Sequence, residues 1–220
     1  MSDAVSPKAG SISAVVLAAG LARRMGRDKL MLALGEKPVI RHVVEQVLSA
    51  PFFEAVVVVN PNNNDAIRKT LADLPVRIVR NERFEEGMAS SIVTGIAVVD
   101  SASMGVMLVQ GDQPLVNAEI LHSLIDAWDG SRPEFVAASF DGVVTTPVLF
   151  GRALLPELKS LSGDVGARSV LKRHDGRVIE FEGWRGSDVD TDEDYAKVKR
   201  IFTEVRSRRL AASDRGEKEK

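Results

Sequence analysis

Hydrophobic positions along the chain fall into short, continuous, β-branched runs separated by amphipathic stretches. Ala14-Val15-Val16-Leu17-Ala18 is unbroken apolar sequence, the pattern of a strand covered on both faces. Ala55–Val59 repeats it, and runs at Val76–Val79, Gly105–Val109, Phe135–Ala138, Val143–Phe150 and Val178–Phe181 read as further strands. Pro147 lies inside one of these runs and has no N–H for a ladder, which predicts an edge position or a bulge. Between the strands the period changes. Val39, Ile40, Val43, Val44, Val47 and Leu48 form one helical stripe behind Pro38, a favoured first-turn residue. Helices are also predicted at Ala66–Leu71, at Ser90–Val99 entered through Gly87, and from the cap candidate Asn117 to Trp128. Two more are expected over Asp164–Lys172 and Glu193–Val205. This alternation predicts an α/β fold: a mostly parallel sheet with helices on both faces, hence three layers. Residues 1–205 are expected to form one domain, and the charged, apolar-poor tail 206–220 to be disordered.

Composition narrows the function classes. The chain has 220 residues and no cysteine, which excludes disulfides, thiolate metal sites and a Cys nucleophile. Its 29 Lys+Arg and 31 Asp+Glu give a net charge of −2, unlike the strongly basic balance of a general nucleic-acid or membrane-surface binder. Aromatic residues are 5%, too few for a stacking platform on single strands. No stretch approaches the roughly 18 apolar residues of a spanning helix, and Met1–Ser11 lacks an apolar core of signal-peptide length. A cytoplasmic protein acting on small molecules is expected, with no nucleic-acid or membrane partner.

Open α/β sheets bind ligands beyond the carboxyl ends of their strands, so the loops after each strand carry the candidate chemistry. The first, residues 19–29, holds Gly20, Gly26, Arg23, Arg24, Arg27 and Lys29 directly behind a buried strand. Glycines let backbone N–H groups approach an anion, and Arg24 and Lys29 would neutralise a polyphosphate. The spacing is neither a P-loop nor a dinucleotide fingerprint. The second loop is Gly111-Asp112-Gln113-Pro114. Alone it is an ordinary turn; facing a cationic phosphate loop, its carboxylate is where Mg²⁺ would bridge protein and nucleotide. In the third, Asp188-Val189-Asp190-Thr191-Asp192-Glu193-Asp194, Thr191 or Asp190 can cap the following helix. Capping leaves the Asp188/Asp190 alternation unexplained, and in an extended segment that alternation aims both carboxylates one way. The fourth, Glu85–Ser91, places Ser90 and Ser91 at a helix start, as caps or as hydroxyls for a ribose and base. His42 and His122 fall within helix patterns and read as structural or solvated, and no histidine is placed in the chemistry.

Together these residues resemble the nucleotidyltransferases that attach a nucleotide to molybdopterin. That family's opening motif is Leu-Ala-Ala-Gly-x-Ser-x-Arg-Met-Gly-x-x-Lys, and the chain has Leu17-Ala18-Ala19-Gly20, Arg24-Met25-Gly26 and Lys29. Gly111–Pro114, Glu86-Gly87-Met88 with Ser90-Ser91, Pro147–Phe150, Gly163–Arg168 and Asp188–Thr191 also match, in order, from about residue 13 to 195. The opening motif alone is shared with many sugar and polyol nucleotidyltransferases. Asp28 before Lys29 is reminiscent of the guanylyl branch, whereas Ala18-Ala19-Gly20 is similar to the cytidylyl branch, where the Ala19 methyl would crowd a purine. Ala22 stands where the family often has Ser, and Thr145-Thr146 stands where relatives often have Gly, His or Asn.

The resemblance implies a Rossmann-like domain and a Mg²⁺-dependent transfer of CMP from CTP to molybdopterin with release of pyrophosphate. It implies Lys29 and Arg24 on the phosphates and Asp112 with Asp190 on the metal. It implies Leu17, Ala18, Ala19, Gly20, Met25, Gly26, Ser90 and Ser91 around the nucleotide, and Gln113, Thr146 and Pro147 toward the acceptor. A molybdoenzyme or its insertion chaperone would then receive the product. The Thr145-Thr146 departure leaves open a different phosphorylated acceptor, such as a polyol or sugar phosphate, and Ala22 with the charged tail leaves open a non-catalytic nucleotide-binding adaptor.

Overall fold

A computed structural model describes residues 11–20, 25–163 and 166–216, with side chains described as far as Arg208. Its frame is a seven-stranded sheet built from β1 (Ile12–Ala18), β4 (Glu54–Val59), β5 (Arg77–Arg80), β6 (Gly105–Gln110), β7 (Phe135–Phe140), β8 (Val143–Gly151) and β9 (Gly176–Phe181). The order is β5-β4-β1-β6-β8-β7-β9. Every pairing is parallel except the two made by β8, which runs antiparallel to both β6 and β7. A two-stranded hairpin, β2 (Ala33–Leu34) with β3 (Lys37–Pro38), stands apart from the sheet.

The unbroken apolar run of β1 has its expected cause: every residue of the strand is buried, because helices cover both faces. Ala14, Val16 and Ala18 pack into one core with α1 (Val39–Leu48), α2 (Asn64–Thr70) and α4 (Ala118–Asp126). Val15, Leu17 and Ala19 pack into a second core with α3 (Met88–Ala97), α5 (Leu155–Lys159) and α6 (Arg168–Leu171). The three-layer α/β sandwich with a mostly parallel sheet is therefore the fold that forms. α3 lies so close to the sheet that a Cβ on Gly95 would sit 2.4 Å from Val15 Cγ1. A third, smaller core joins Leu34, Val39, Leu115, Val189 and Val198, and through it α7 (Asp192–Gly216) packs over the hairpin.

Pro147 sits in an interior strand and satisfies the alternative expectation, a bulge. Ala137 pairs with Val148 and Ala138 with Thr145, so Thr146 and Pro147 are skipped. β6 pairs with β8 only from Val148 onward, so no ladder asks for the missing N–H. The pattern missed the short helix α5 and the hairpin, whose two-residue strands are below what periodicity resolves. The helix expected over Asp164–Lys172 is confined to Arg168–Leu171 among the described residues, and α7 runs beyond Val205 to Gly216. Among the described residues no helix is long and apolar enough to cross a membrane.

Candidate functional site

The carboxyl ends of β1 and β6 open into a cleft of about 700 Å³. Its floor is Leu17–Gly20, with Gln110 at the end of β6 and Asp112 just after it. Gly111 is what lets the two strand ends converge. Its N–H donates to the Leu17 carbonyl at 2.9 Å, and a Cβ would lie 3.0 Å from that oxygen and 3.1 Å from Ile40 Cδ1. The backbone N–H of Val189 donates to the Asp112 carbonyl at 3.0 Å, which straps the Asp188–Asp190 segment alongside. Thr191 caps α7 reciprocally: its Oγ1 accepts from the Asp194 N–H (3.1 Å), while the Thr191 N–H donates to Asp194 Oδ2 (3.0 Å). Asp188 and Asp190 both line the cleft, as their alternation required.

Lys29 reaches the cleft from a 3-10 turn, Lys29–Met31, capped by Asp28, whose Oδ1 accepts the Leu30 N–H at 3.0 Å. Burial pushes the Asp28 carboxyl up. The Lys29 ammonium donates to Asp112 Oδ2 at 2.5 Å and to Asp190 Oδ1. Lys29 and Asp112 retain 13% and 14% side-chain exposure, against 38% for Asp190. Burial alone would lower the ammonium pKa, but the Asp112 charge and the bonds to both carboxylates outweigh it and hold Lys29 above its ordinary value. Burial raises Asp112, and the neighbouring Asp190 charge adds to the effect. Asp188 is raised by burial and then by the charges of Asp112 and Asp190.

Among the described residues the Lys29 ammonium thus faces three carboxylates, and there Asp112 Oδ1 is buried with no hydrogen-bond partner. A buried charged oxygen without a partner is unfavourable unless a cation or donor meets it. Among the described residues no group of three or more His, Cys, Asp or Glu is arranged to hold a metal. A divalent cation here would take Asp112 and Asp190 and complete its shell with water and ligand phosphate oxygens, the usual habit of Mg²⁺. The residues present fit such an ion.

Elsewhere the cleft, whose lining also includes Glu85 and Arg168, is braced by neutral amides. Asn63 Nδ2 donates to the Ala18 carbonyl (2.9 Å) and Asn60 Nδ2 to the Ala19 carbonyl (3.2 Å). The two asparagines brace each other, Asn60 N–H to Asn63 Oδ1 and Asn63 N–H to Asn60 Oδ1, both at 3.0 Å. Asn81, just past β5, donates from Nδ2 to Ser90 Oγ (2.8 Å) and Ser91 Oγ (3.1 Å). Gly87 precedes α3 at φ 99°, a conformation that favours glycine.

Of the residues singled out in the sequence, the structure gathers Leu17, Ala18, Ala19, Gly20, Lys29, Ser91, Asp112 and Asp190 around one cleft. Ser90 is one step aside, its hydroxyl donating to the Gly87 carbonyl at 2.8 Å. Met25 packs against the third core, and Gly26 turns the chain at φ 63°. Gln113, Thr146 and Pro147 lie behind the cleft wall. Thr146 Oγ1 donates to Gln113 Oε1 at 3.0 Å, Gln113 Nε2 donates to the Gly186 carbonyl at 3.2 Å, and Thr145 faces the cleft instead. Arg24 lies outside the described residues. His42 is structural, its Nε2 against the Leu34 carbonyl (2.6 Å) and its ring edge-on to Phe202. Met88 and Arg168, which the sequence offered only inside matching motifs without a role, also line the cleft; sequence reading missed Gln110 and Phe84 in the lining and Asn60, Asn63 and Asn81 behind it. The asparagines directly after strand runs were the available signal; as loop residues they read only as turn formers.

Residues 14–178 match the family model described as a MobA-like NTP transferase domain. The chain is 30% identical over 202 residues to the purine catabolism protein PucB of Bacillus subtilis, covering 86% of this chain and 96% of that one. It is 21% identical over 197 residues to the molybdenum cofactor cytidylyltransferase of Escherichia coli, covering 89% and 99%. The fold superposes on the crystal structure of Rv0371C of Mycobacterium tuberculosis in complex with manganese, with a TM-score of 0.75 and 27% identity, covering 86% of this chain and 98% of that one. The matched span runs from β1 into β9 and takes in Lys29, Ser91 and Asp112, so the chain belongs to the MobA-like NTP transferase family and is a nucleotidyltransferase.

Proposed function

We propose that the protein transfers CMP from CTP to the phosphate of molybdopterin, releasing pyrophosphate. The observation that carries the reading is the convergence of Lys29, Asp112 and Asp190 where β1 and β6 end. A phosphate oxygen of the acceptor forms a bond to the α-phosphorus, the α–β bridging bond breaks, and its electron pair leaves with pyrophosphate. No covalent enzyme intermediate is needed, so positioning and charge stabilisation supply the catalysis. Lys29 meets the growing phosphate charge, with Arg24 assigned the same role from the sequence. Asp112 and Asp190 hold Mg²⁺, which when bound neutralises phosphate charge and orients the leaving group; the manganese complex of the mycobacterial relative supports a divalent cation. Leu17–Gly20 and Ser91 take the nucleoside, with Ser90 beside them, while Met25 and Gly26 set the course of the loop that carries Lys29. Gln113, Thr146 and Pro147 shape the acceptor side from behind Thr145. Ala19 on the cleft floor favours the smaller pyrimidine, and the E. coli cytidylyltransferase supports both CTP and molybdopterin. Residues 1–205 act as the catalytic domain in the cytoplasm, passing product to a molybdoenzyme or its insertion chaperone.

A second reading, with another phosphorylated acceptor, is favoured by Thr145 lining the cleft and by the relative named for purine catabolism. Pyrophosphate release measured with CTP, GTP, ATP and UTP plus Mg²⁺, each against molybdopterin and a panel of polyol and sugar phosphates, separates the two. Release from CTP with molybdopterin supports the first; release with a panel member and none with molybdopterin replaces it with the second.

A further inference from the structure

Asn81 is buried to 1% exposure, and its amide is fully engaged. The orientation of that amide is set by the backbone. The Arg83 N–H, which can only donate, meets Asn81 Oδ1 at 2.9 Å, and the Thr94 hydroxyl donates to the same oxygen at 3.3 Å. Nδ2 therefore faces the two serines and must donate to both hydroxyl oxygens. Ser90 passes its own hydrogen to the Gly87 carbonyl. Ser91, 7% exposed and lining the cleft, has its oxygen occupied as an acceptor and has no acceptor for its hydrogen among the described residues. Its hydroxyl hydrogen is thereby left available to an acceptor in the cleft.

We infer that Asn81 is a positioning residue that makes the Ser91 hydroxyl a hydrogen-bond donor to the nucleoside, so that the bound nucleotide must present an accepting atom there. This rests on the reading of the cleft as a nucleotide site. Cytosine supplies such atoms at its C2 carbonyl and N3, and the ribose hydroxyls supply others. A guanine edge that offers only N–H groups at this point would leave two donors opposed. Asn81→Asp reverses the local polarity: a carboxylate oxygen in place of Nδ2 must accept from the serines, so Ser91 turns its hydrogen inward and shows lone pairs to the cleft.

The test measures KM and kcat for CTP in the wild type, Asn81→Asp, Asn81→Ala, Ser91→Ala and the double variant N81D/S91A. Each single change is expected to raise KM about tenfold, the equivalent of one lost hydrogen bond, with the smaller effect on kcat. The double variant is expected to match Ser91→Ala, because Asn81 acts through that hydroxyl. Additive effects, or an unchanged KM in Ser91→Ala, would overturn the inference. Should the Asn81 variants fail to fold, Ser91→Ala decides it, since that change leaves the bonds of Asn81 to Arg83 and Thr94 in place. Running CTP beside its 2′-deoxy and 3′-deoxy analogues identifies the accepting atom: a Ser91→Ala penalty lost with one analogue assigns it to that ribose hydroxyl, and a penalty kept with all three assigns it to the base. A wild type that binds no nucleoside triphosphate would instead end the functional reading itself.

Discussion

The two sides of the cleft are held by opposite means. The ionic side brings Lys29, Asp112 and Asp190 together from three separate stretches of chain, and among the described residues one Asp112 oxygen there has no partner. The other, a neutral side in the amides that brace it, is held by Asn60, Asn63 and Asn81, which are satisfied before any ligand arrives, with Glu85 and Arg168 also in the lining. The first is built to be completed by what it binds, because desolvated charge is favourable only with a counter-charge. The second is pre-organised, because amides pinned to backbone groups have nowhere else to turn.

The comparison is broken most severely at Lys29. Lys29→Met is expected to lower kcat/KM by about 10²- to 10³-fold, the scale for removing one preorganised donor to transition-state charge. It also leaves the carboxylates without their ammonium. Asp112, already raised by burial, then binds a proton more tightly folded than unfolded. Stability from such a group grows as the pH falls through its folded pKa, so the difference in Tm between variant and wild type should narrow as the pH is lowered. Thermal melts across pH with pyrophosphate-release kinetics check both; an unchanged kcat/KM would remove Lys29 from the proposed chemistry.

Asp112→Asn is the next largest. It keeps the shape and removes the charge, so activity should fall by about 10²-fold and half-saturation by Mg²⁺ should move to higher concentration. Titrating Mg²⁺ or Mn²⁺ in the assay reads that shift, and an unmoved titration would place the ion elsewhere.

On the neutral side the expected loss is in stability. Asn63→Ala removes the donor to the buried Ala18 carbonyl and should cost about 1–3 kcal/mol in urea unfolding. KM for the nucleotide should rise with it, since the same peg holds the cleft floor. A stability loss with KM unmoved would show the pegs to be independent of the ligand. The smallest effect belongs to Arg27→Ala. Arg27 pairs with Asp192 across the rim, but at 53% and 71% exposure the pair is worth about 0–1 kcal/mol. A larger loss would mean that the rim pair holds the Asp190 segment as firmly as the backbone strap from Val189 does.

The parts of this protein legible in its sequence are those whose signal is local. β1 declared its double burial by the unbroken apolar run Ala14–Ala18, and all seven residues of the strand are buried; α1 declared its stripe, and Asn117 its cap, with its side chain accepting the Ile120 N–H. Lys29, Asp112 and Asp190 were legible too, since the loops that carry them follow β1, β6 and β9, and loops after parallel strands emerge at one end of the sheet. Gln113 and Thr146 were read by adjacency to the motif and turn out to bond each other behind the wall.

What tertiary structure alone decided is which neighbours share a cavity and which way their hydrogens point. Nothing in the spelling of Asn60, Asn63 or Asn81 distinguishes a turn former from a peg, because the carbonyls and hydroxyls they meet are 9 to 45 residues away. Nor could it show that Thr145 faces the cleft while Thr146 turns behind it, which follows from a skipped pairing against β7. Periodicity specifies which face of an element is buried; only the packing of distant elements specifies the partner, and hydrogen-bond polarity belongs to the partner.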